Sequence, residues 1–171
     1  YVAVALGSSH PGKHLSDAVI DGSIRAAQAQ GRAVVIVGGE AEQGRAGDVV
    51  ARHPEAVRRV GSWTLGETSA ALAGADAVVT GDTATLHLAA AVGTPVAAVW
   101  GCTRPSLGLA AWRPNPLSID VLPKRAYDAR PCSKHGATCR HTGSSDPFHP
   151  DRCGQHVDAR EVGDWLKNLL T

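Results

Sequence analysis

Three short stretches carry residue types suited to an anionic, sugar-bearing ligand. In Gly7-Ser8-Ser9-His10-Pro11-Gly12-Lys13, Ser8 and Ser9 are hydroxyl donors and Lys13 is a cation that can reach a diphosphate. In Gly38-Gly39-Glu40-Ala41-Glu42, the paired glycines let the backbone pass close to a ligand. A carboxylate shortly beyond a second strand can accept two hydrogen bonds from a ribose diol, and Glu40 and Glu42 compete for that place. In Gly81-Asp82-Thr83-Ala84, Thr83, Ala84 and the backbone N–H groups beyond them can cradle a phosphate, and His87 lies one turn further on. A carboxylate beside a diphosphate is repulsive, so Asp82 is assigned to capping the helix or orienting its neighbours. Each stretch also has an ordinary reading. Lys13 suits a capped loop with a solvated lysine, Glu42 an exposed first-turn glutamate, and His87 a neutral, hydrogen-bonded core histidine.

These stretches need elements to place them. Val2–Leu6, Ala33–Val37, Val57–Val60, Ala77–Thr80 and Val96–Trp100 are short apolar, β-branched runs that read as buried strands. Between them fall helical segments: from the Ser16 cap to about Gln30, with Val19, Ile20, Ile24 and Ala27 on one face; about 41–52; 65–73; and Leu86–Val92, capped by Asp82 or Thr83 and stopped at Gly93. Strands alternating with helices at this spacing predict an α/β domain with a parallel sheet. Ligands of such sheets bind outside the carboxyl ends of the strands, where all three stretches fall. Residues 104–117 read as a Pro-containing loop and Leu117–Leu122 as a short sixth strand. Residues 123–156 form a Cys/His-rich insertion, and 158–170 a closing helix with Val162, Trp165, Leu166 and Leu169 on one face.

Composition narrows the function classes. The 171 residues suffice for one domain with a sizeable core, built from Ala, Val, Leu and Ile because aromatic residues are only 4%. A net charge of +1 gives no electrostatic case for nucleic acid or membrane binding. The longest apolar runs are strand-sized, and no signal peptide is visible. A chain that starts at Tyr1 and contains no Met reads as a cut-out domain or a processed piece. No G-x-G-x-x-G follows the first strand, which disfavours a dinucleotide-dependent dehydrogenase. No paired carboxylates of the glycosidase kind and no Ser-His-Asp order are found, so no catalytic base or nucleophile is assigned.

The run GDTATLHLAAAVGTPVAAVWGCTRP resembles the signature of the glycosyltransferase family 9 enzymes, the ADP-heptose:lipopolysaccharide heptosyltransferases. Asp82, Thr83, His87, Ala89, Ala90, Ala91, Pro95, Gly101 and Thr103 match its pattern, while Ala84 stands where the family usually has Gly. The resemblance covers most of this chain and the second half of a family member. It implies a Rossmann-like parallel sheet, the C-terminal donor-binding half of a two-domain GT-B enzyme, with a nucleotide-diphospho-sugar, ADP-heptose-like, as substrate. It places Ser8, Ser9, Lys13, Asp82, Thr83, Ala84 and His87 at the donor phosphates, with a protonated His87 offsetting charge on the leaving group. It selects Glu42 for the ribose through a G-x-x-x-E-x-x-R-A pattern that also takes in Arg45 and Ala46, and it puts the loop Gly61–Leu65 beside the base, where Trp63 can pack on a purine; a core or surface Trp is the ordinary reading of that residue. Arg104 is either a phosphate or sugar contact or a rim arginine. The resemblance further implies inverting glycosyl transfer, with the base on an amino-terminal acceptor domain. It implies a lipid-linked saccharide acceptor and a cytoplasmic protein, peripheral at the inner membrane face. The isolated chain is then expected to bind donor weakly and catalyse nothing.

The Cys/His-rich segment resembles an insertion in some family members. Cys132, Cys139 and Cys153 with a nearby His can supply a Cys₃His zinc site, although the paired C-x₂-C spacing is lacking; a disulfide or three reduced thiols are the other readings. Cys102 stands alone in its loop. No further cofactor is expected. Two other functions fit the residues: a UDP-sugar-using GT-B half, epimerase- or transferase-like, and a non-catalytic nucleotide- or metal-binding module.

Overall fold

The computed structural model describes residues 1–61, 63–124 and 136–171. The chain lays down β1 (Val2–Ala5), α1 (Asp17–Ala29), β2 (Val34–Gly38), α2 (Gln43–Arg52), β3 (Val57–Val60), α3 (Leu65–Ala73), β4 (Ala77–Gly81), α4 (Ala84–Ala91), β5 (Val96–Val99), β6 (Ile119–Val121) and α5 (Ala159–Leu170). Among the described residues, all strands run parallel in one six-stranded sheet of order β3-β2-β1-β4-β5-β6. This is the doubly wound Rossmann-like arrangement, and its order reverses between β1 and β4. Val4 of β1 pairs with Ile36 on one side and Val79 on the other.

The period of two along each strand divides the core. Val2, Val4, Ile36, Val79 and Val99 face a layer formed by Ile20 and Ile24 of α1, Val49 of α2 and Val162 and Leu166 of α5. Ala3, Val78, Val96 and Ala98 face Leu72 of α3 and Leu86 and Ala89 of α4. Trp100 is fully buried there, and its indole N–H donates to Asp120 Oδ1 at 2.7 Å, so the one polar atom of this large side chain is satisfied. The closing helix α5 lies against α1, where small residues permit close approach: a methyl on Gly22 would stand 3.3 Å from Ala159 Cβ.

Ser16 caps α1 by accepting from Val19 N–H at 3.3 Å. Two local readings change. The segment expected as one helix over 41–52 splits into a 3-10 turn, Glu40–Glu42, and then α2, because the Glu42 carboxylate folds back onto the Gly39 amide. At α4 the cap position is Thr83, but its hydroxyl meets Thr80 Oγ1 at 3.1 Å and accepts nothing from the helix. Asp82 does not cap either. No described helix is long and apolar enough to cross a membrane.

Candidate functional site

Because every strand is parallel, the loops after β1, β2, β3 and β4 emerge at one end of the sheet. They enclose a cleft of about 710 Å³ over the β1/β4 reversal. Gly7, Ser8, Ser9, His10 and Lys13 come from the first loop, and Gly38 to Glu42 from the second. Trp63, Leu65 and Thr68 come from the third, and Asp82 to Thr85, His87 and Leu88 from the fourth. All nine residues assigned from sequence to the donor therefore border one space. Arg59 and Leu109 join them without any prior signal: Arg59 lies in a strand whose two arginines look alike in sequence, and Leu109 follows a loop of no recognisable pattern.

At the centre, Lys13 Nζ stands 2.9 Å from Asp82 Oδ2, with 14% and 4% of the two side chains exposed. The contact is one of charge: Asp82 Oδ2 is buried with no aligned hydrogen bond. Asp82 thus orients the lysine. Beyond it the first turn of α4 has no side-chain cap, and the positive end of its dipole opens into the cleft. Ala84 is exposed at that opening, so its methyl lies on the cleft surface. His87 is exposed on the cleft-facing side of the helix, which excludes the core-histidine reading.

Ser8 is partly occupied in shaping its own loop: its hydroxyl donates to His10 O at 2.9 Å and accepts from His10 N–H at 3.1 Å. Ser9 is exposed. Glu42 Oε2 accepts from Gly39 N–H at 2.7 Å, and a methyl on Gly7 would stand 3.3 Å from the same oxygen. The carboxylate therefore closes the second loop on itself and packs against Gly7 of the first, where a side chain would crowd it. Trp63 is half-buried at the far end.

Arg45 points away from the cleft. It donates to Leu15 O at 2.5 Å and Asp17 Oδ1 at 3.1 Å, and lies 3.4 Å from His14 Nδ1. Burial lowers the His14 pKa below the usual imidazole value; the Arg45 and Arg152 charges lower it further and Glu42 opposes them. Arg104 matches neither reading made for it. It is 8% exposed and turned inward, donating to the carbonyls of Gly101 and Thr103, because the backbone after β5 leaves those oxygens without strand partners.

Cys102 is not alone. With Cys139 and Cys153 it is buried around a cavity of about 10 Å³ that His14 and Arg152 also line. Burial pushes the Cys139 thiol up, but hydrogen bonds from Thr142 and the His141 amide, with the Arg152 charge, bring it below the ordinary thiol value. Among the described residues no group of ligating side chains is arranged to hold a metal. Cys132, the remaining zinc candidate, lies outside the described residues.

Known proteins bear on this architecture. No curated protein matches the chain. The E. coli ADP-heptose lps heptosyltransferase II superposes with a TM-score of 0.73 at 16% identity, over 99% of this chain and 46% of that one. The dodecameric iron-containing heptosyltransferase TibC of enterotoxigenic E. coli, solved with ADP-D-beta-D-heptose, superposes at 0.69 with 16% identity, over 99% and 45%. E. coli heptosyltransferase WaaC with ADP gives 0.57 at 26% identity, over 65% and 35%. The chain spans less than half the length of these proteins. The profile of Glycosyltransferase family 9 (heptosyltransferase) matches residues 1–135. With this match over most of its length and the doubly wound fold beneath it, the chain belongs to glycosyltransferase family 9.

Proposed function

We propose that this chain is the donor-binding half of an inverting GT-B glycosyltransferase that uses an ADP-linked heptose or a closely similar sugar. The observation that carries the reading is the Lys13–Asp82 pair at the β1/β4 reversal, beside the uncapped start of α4. Solved relatives bound to ADP or to ADP-D-beta-D-heptose support the choice of nucleotide.

The diphosphate sits over the first turn of α4, where the amides and Lys13 meet its charge. Ser9 and the Ser8 loop line the same side, Thr83 and Ala84 the other. Glu42 faces the ribose with the carboxylate oxygen left over from Gly39, and Trp63 packs on the adenine. In the reaction an acceptor hydroxyl attacks the anomeric carbon, the bond from that carbon to the diphosphate oxygen breaks, and the electron pair leaves with ADP. Charge therefore grows on the leaving phosphate, where Lys13, the α4 amides and His87 stabilise it more in the transition state than before it. The proton of the acceptor hydroxyl goes to a base on the acceptor domain. The reading extends to a lipid-linked saccharide acceptor, and hence to a cytoplasmic protein working at the inner membrane face.

The test is a thermal-shift and calorimetric panel of ADP, UDP, GDP, NAD and ADP-sugars on the chain, with Lys13→Ala beside the native protein. A ligand at a hundred times its dissociation constant stabilises the fold by about 2.7 kcal/mol. ADP-selective stabilisation that Lys13→Ala removes is expected. Selective binding of UDP overturns the choice of donor, and indifference of ADP binding to Lys13→Ala overturns the phosphate site.

A further inference from the structure

Arg152 lies outside the cleft, in the Cys/His-rich segment that neither composition nor motif assigned to the donor. Only 3% of it is exposed. Its guanidinium donates to Gly136 O and Ala137 O, each at 3.3 Å, and to Ser144 O at 2.6 Å. The Gly136 carbonyl also accepts Gly12 N–H at 2.7 Å. Gly12 is the middle residue of the 3-10 turn Pro11–Lys13, so this amide is one residue from the lysine that faces the cleft.

The turn is held on its other sides as well. Gly12 O accepts from Cys102 N–H at 3.3 Å and lies 3.5 Å from Cys102 Sγ. The approach is too close for any side chain: a methyl on Gly12 would fall 2.1 Å from Cys102 Sγ and 2.7 Å from Gly136 O, and one on Gly101 would fall 2.1 Å from Gly12 O. Gly136 itself sits at φ +69°, a conformation that glycine adopts without strain. A second grip lies one residue beyond the lysine. Phe148 packs edge-on to His14, centroids 5.9 Å apart, with the Arg45 guanidinium 4.6 Å over its ring. A buried guanidinium carries a desolvation cost, and here its two terminal nitrogens donate to carbonyls that fix loop geometry next to the turn, while Nε is buried without a partner.

We infer that Arg152 is a positioning residue for Lys13, acting through the Gly136 carbonyl and the Gly12 amide, and that residues 136–152 of the Cys/His-rich segment brace the phosphate site. The inference rests on the reading of the cleft as a diphosphate site. It explains why the described part of this polar segment, from 136 onward, packs on the first loop: it places one cation.

Two measurements on the full chain separate this inference from the reading beneath it. The first needs no ligand. Amide hydrogen exchange of Gly12 is expected to speed up at least tenfold in Arg152→Gln, while amides of β1 and β4 keep their rates; an unchanged Gly12 rate overturns the brace. The second is an ADP-binding cycle over Arg152→Gln, Lys13→Ala and the double variant. Each single change is expected to weaken ADP by about tenfold, the loss of one charged hydrogen bond. In the Lys13→Ala background Arg152→Gln should add almost nothing, because its effect runs through the lysine. Additive losses mean an independent structural role and overturn the inference. If Lys13→Ala leaves ADP binding unchanged, the diphosphate reading falls and the inference falls with it. Arg152→Lys keeps the charge with fewer donors and is expected to restore part of both readouts; it carries the same measurements if Arg152→Gln does not fold.

Discussion

Lys13 and Asp82, 69 positions apart in sequence, meet at 2.9 Å where the strand order reverses. The lysine comes from the loop after β1 and the aspartate from the loop after β4, so the pair exists only because those strands are neighbours. Both side chains are largely buried, so neither charge is freely solvated. A diphosphate arriving at the start of α4 would draw the ammonium group from one anion toward another.

Asp82→Asn therefore has two expected effects. The free chain loses about 2 kcal/mol, less than the value for fully buried pairs because Lys13 keeps some exposure. In saturating ADP the loss shrinks, since the nucleotide supplies the missing counter-charge. Denaturant melts with and without ADP check both, and a loss that is the same in both conditions contradicts the coupling.

Glycine substitutions should divide by location. A methyl on Gly81 would stand 2.4 Å from Lys13 O. Gly81→Ala must push the turn away, with an expected cost of about 2 kcal/mol or more and loss of ADP binding. Gly44 in α2 has nothing within 4 Å of an added methyl, so Gly44→Ala should stabilise by about 0.5–1 kcal/mol. Chemical denaturation of the two variants, followed by ADP titration, checks the contrast.

The base end of the cleft can be tested apart from the phosphate end. Trp63→Ala is expected to weaken ADP by about 1 kcal/mol or more, the order of one base stacked on an aromatic ring. Inorganic diphosphate, which has no base, should bind the variant and the native chain alike. Calorimetric titration of both ligands distinguishes stacking from a general loss of structure.

Acid should weaken the fold through two groups. The folded pKa of His14 lies below its unfolded value, so the unfolded chain takes up the proton more readily. Stability is thus full above about pH 6.5, the ordinary imidazole range, and falls as pH drops through it. His14→Gln should flatten that slope. For Asp21, burial raises the pKa, but hydrogen bonds from Arg52 and His53 outweigh it and leave it lowered. That contribution is present above the usual carboxylate value and is lost as pH falls below it, so Asp21→Asn should flatten the profile only at the acid end. Urea melts between pH 7 and 3 separate the two.

The α/β class, the strand and helix order and the stretches that border the cleft were legible in the sequence. Their signals are local: apolar runs of strand length, Ser16 as a cap, Gly93 as a stop and the ordered residues from Asp82 to Thr103 are each set by neighbours along the chain. The tertiary structure decided the partners. Whether Asp82 caps a helix or holds Lys13, whether His87 is core or cleft, and whether Cys102 stands alone depend on which strands lie side by side and which loops then touch. Arg104 turned inward and Arg152 became buried because backbone carbonyls left over by irregular segments had to be satisfied. No residue type or spacing announces such a need, since it arises only when distant loops close over one another.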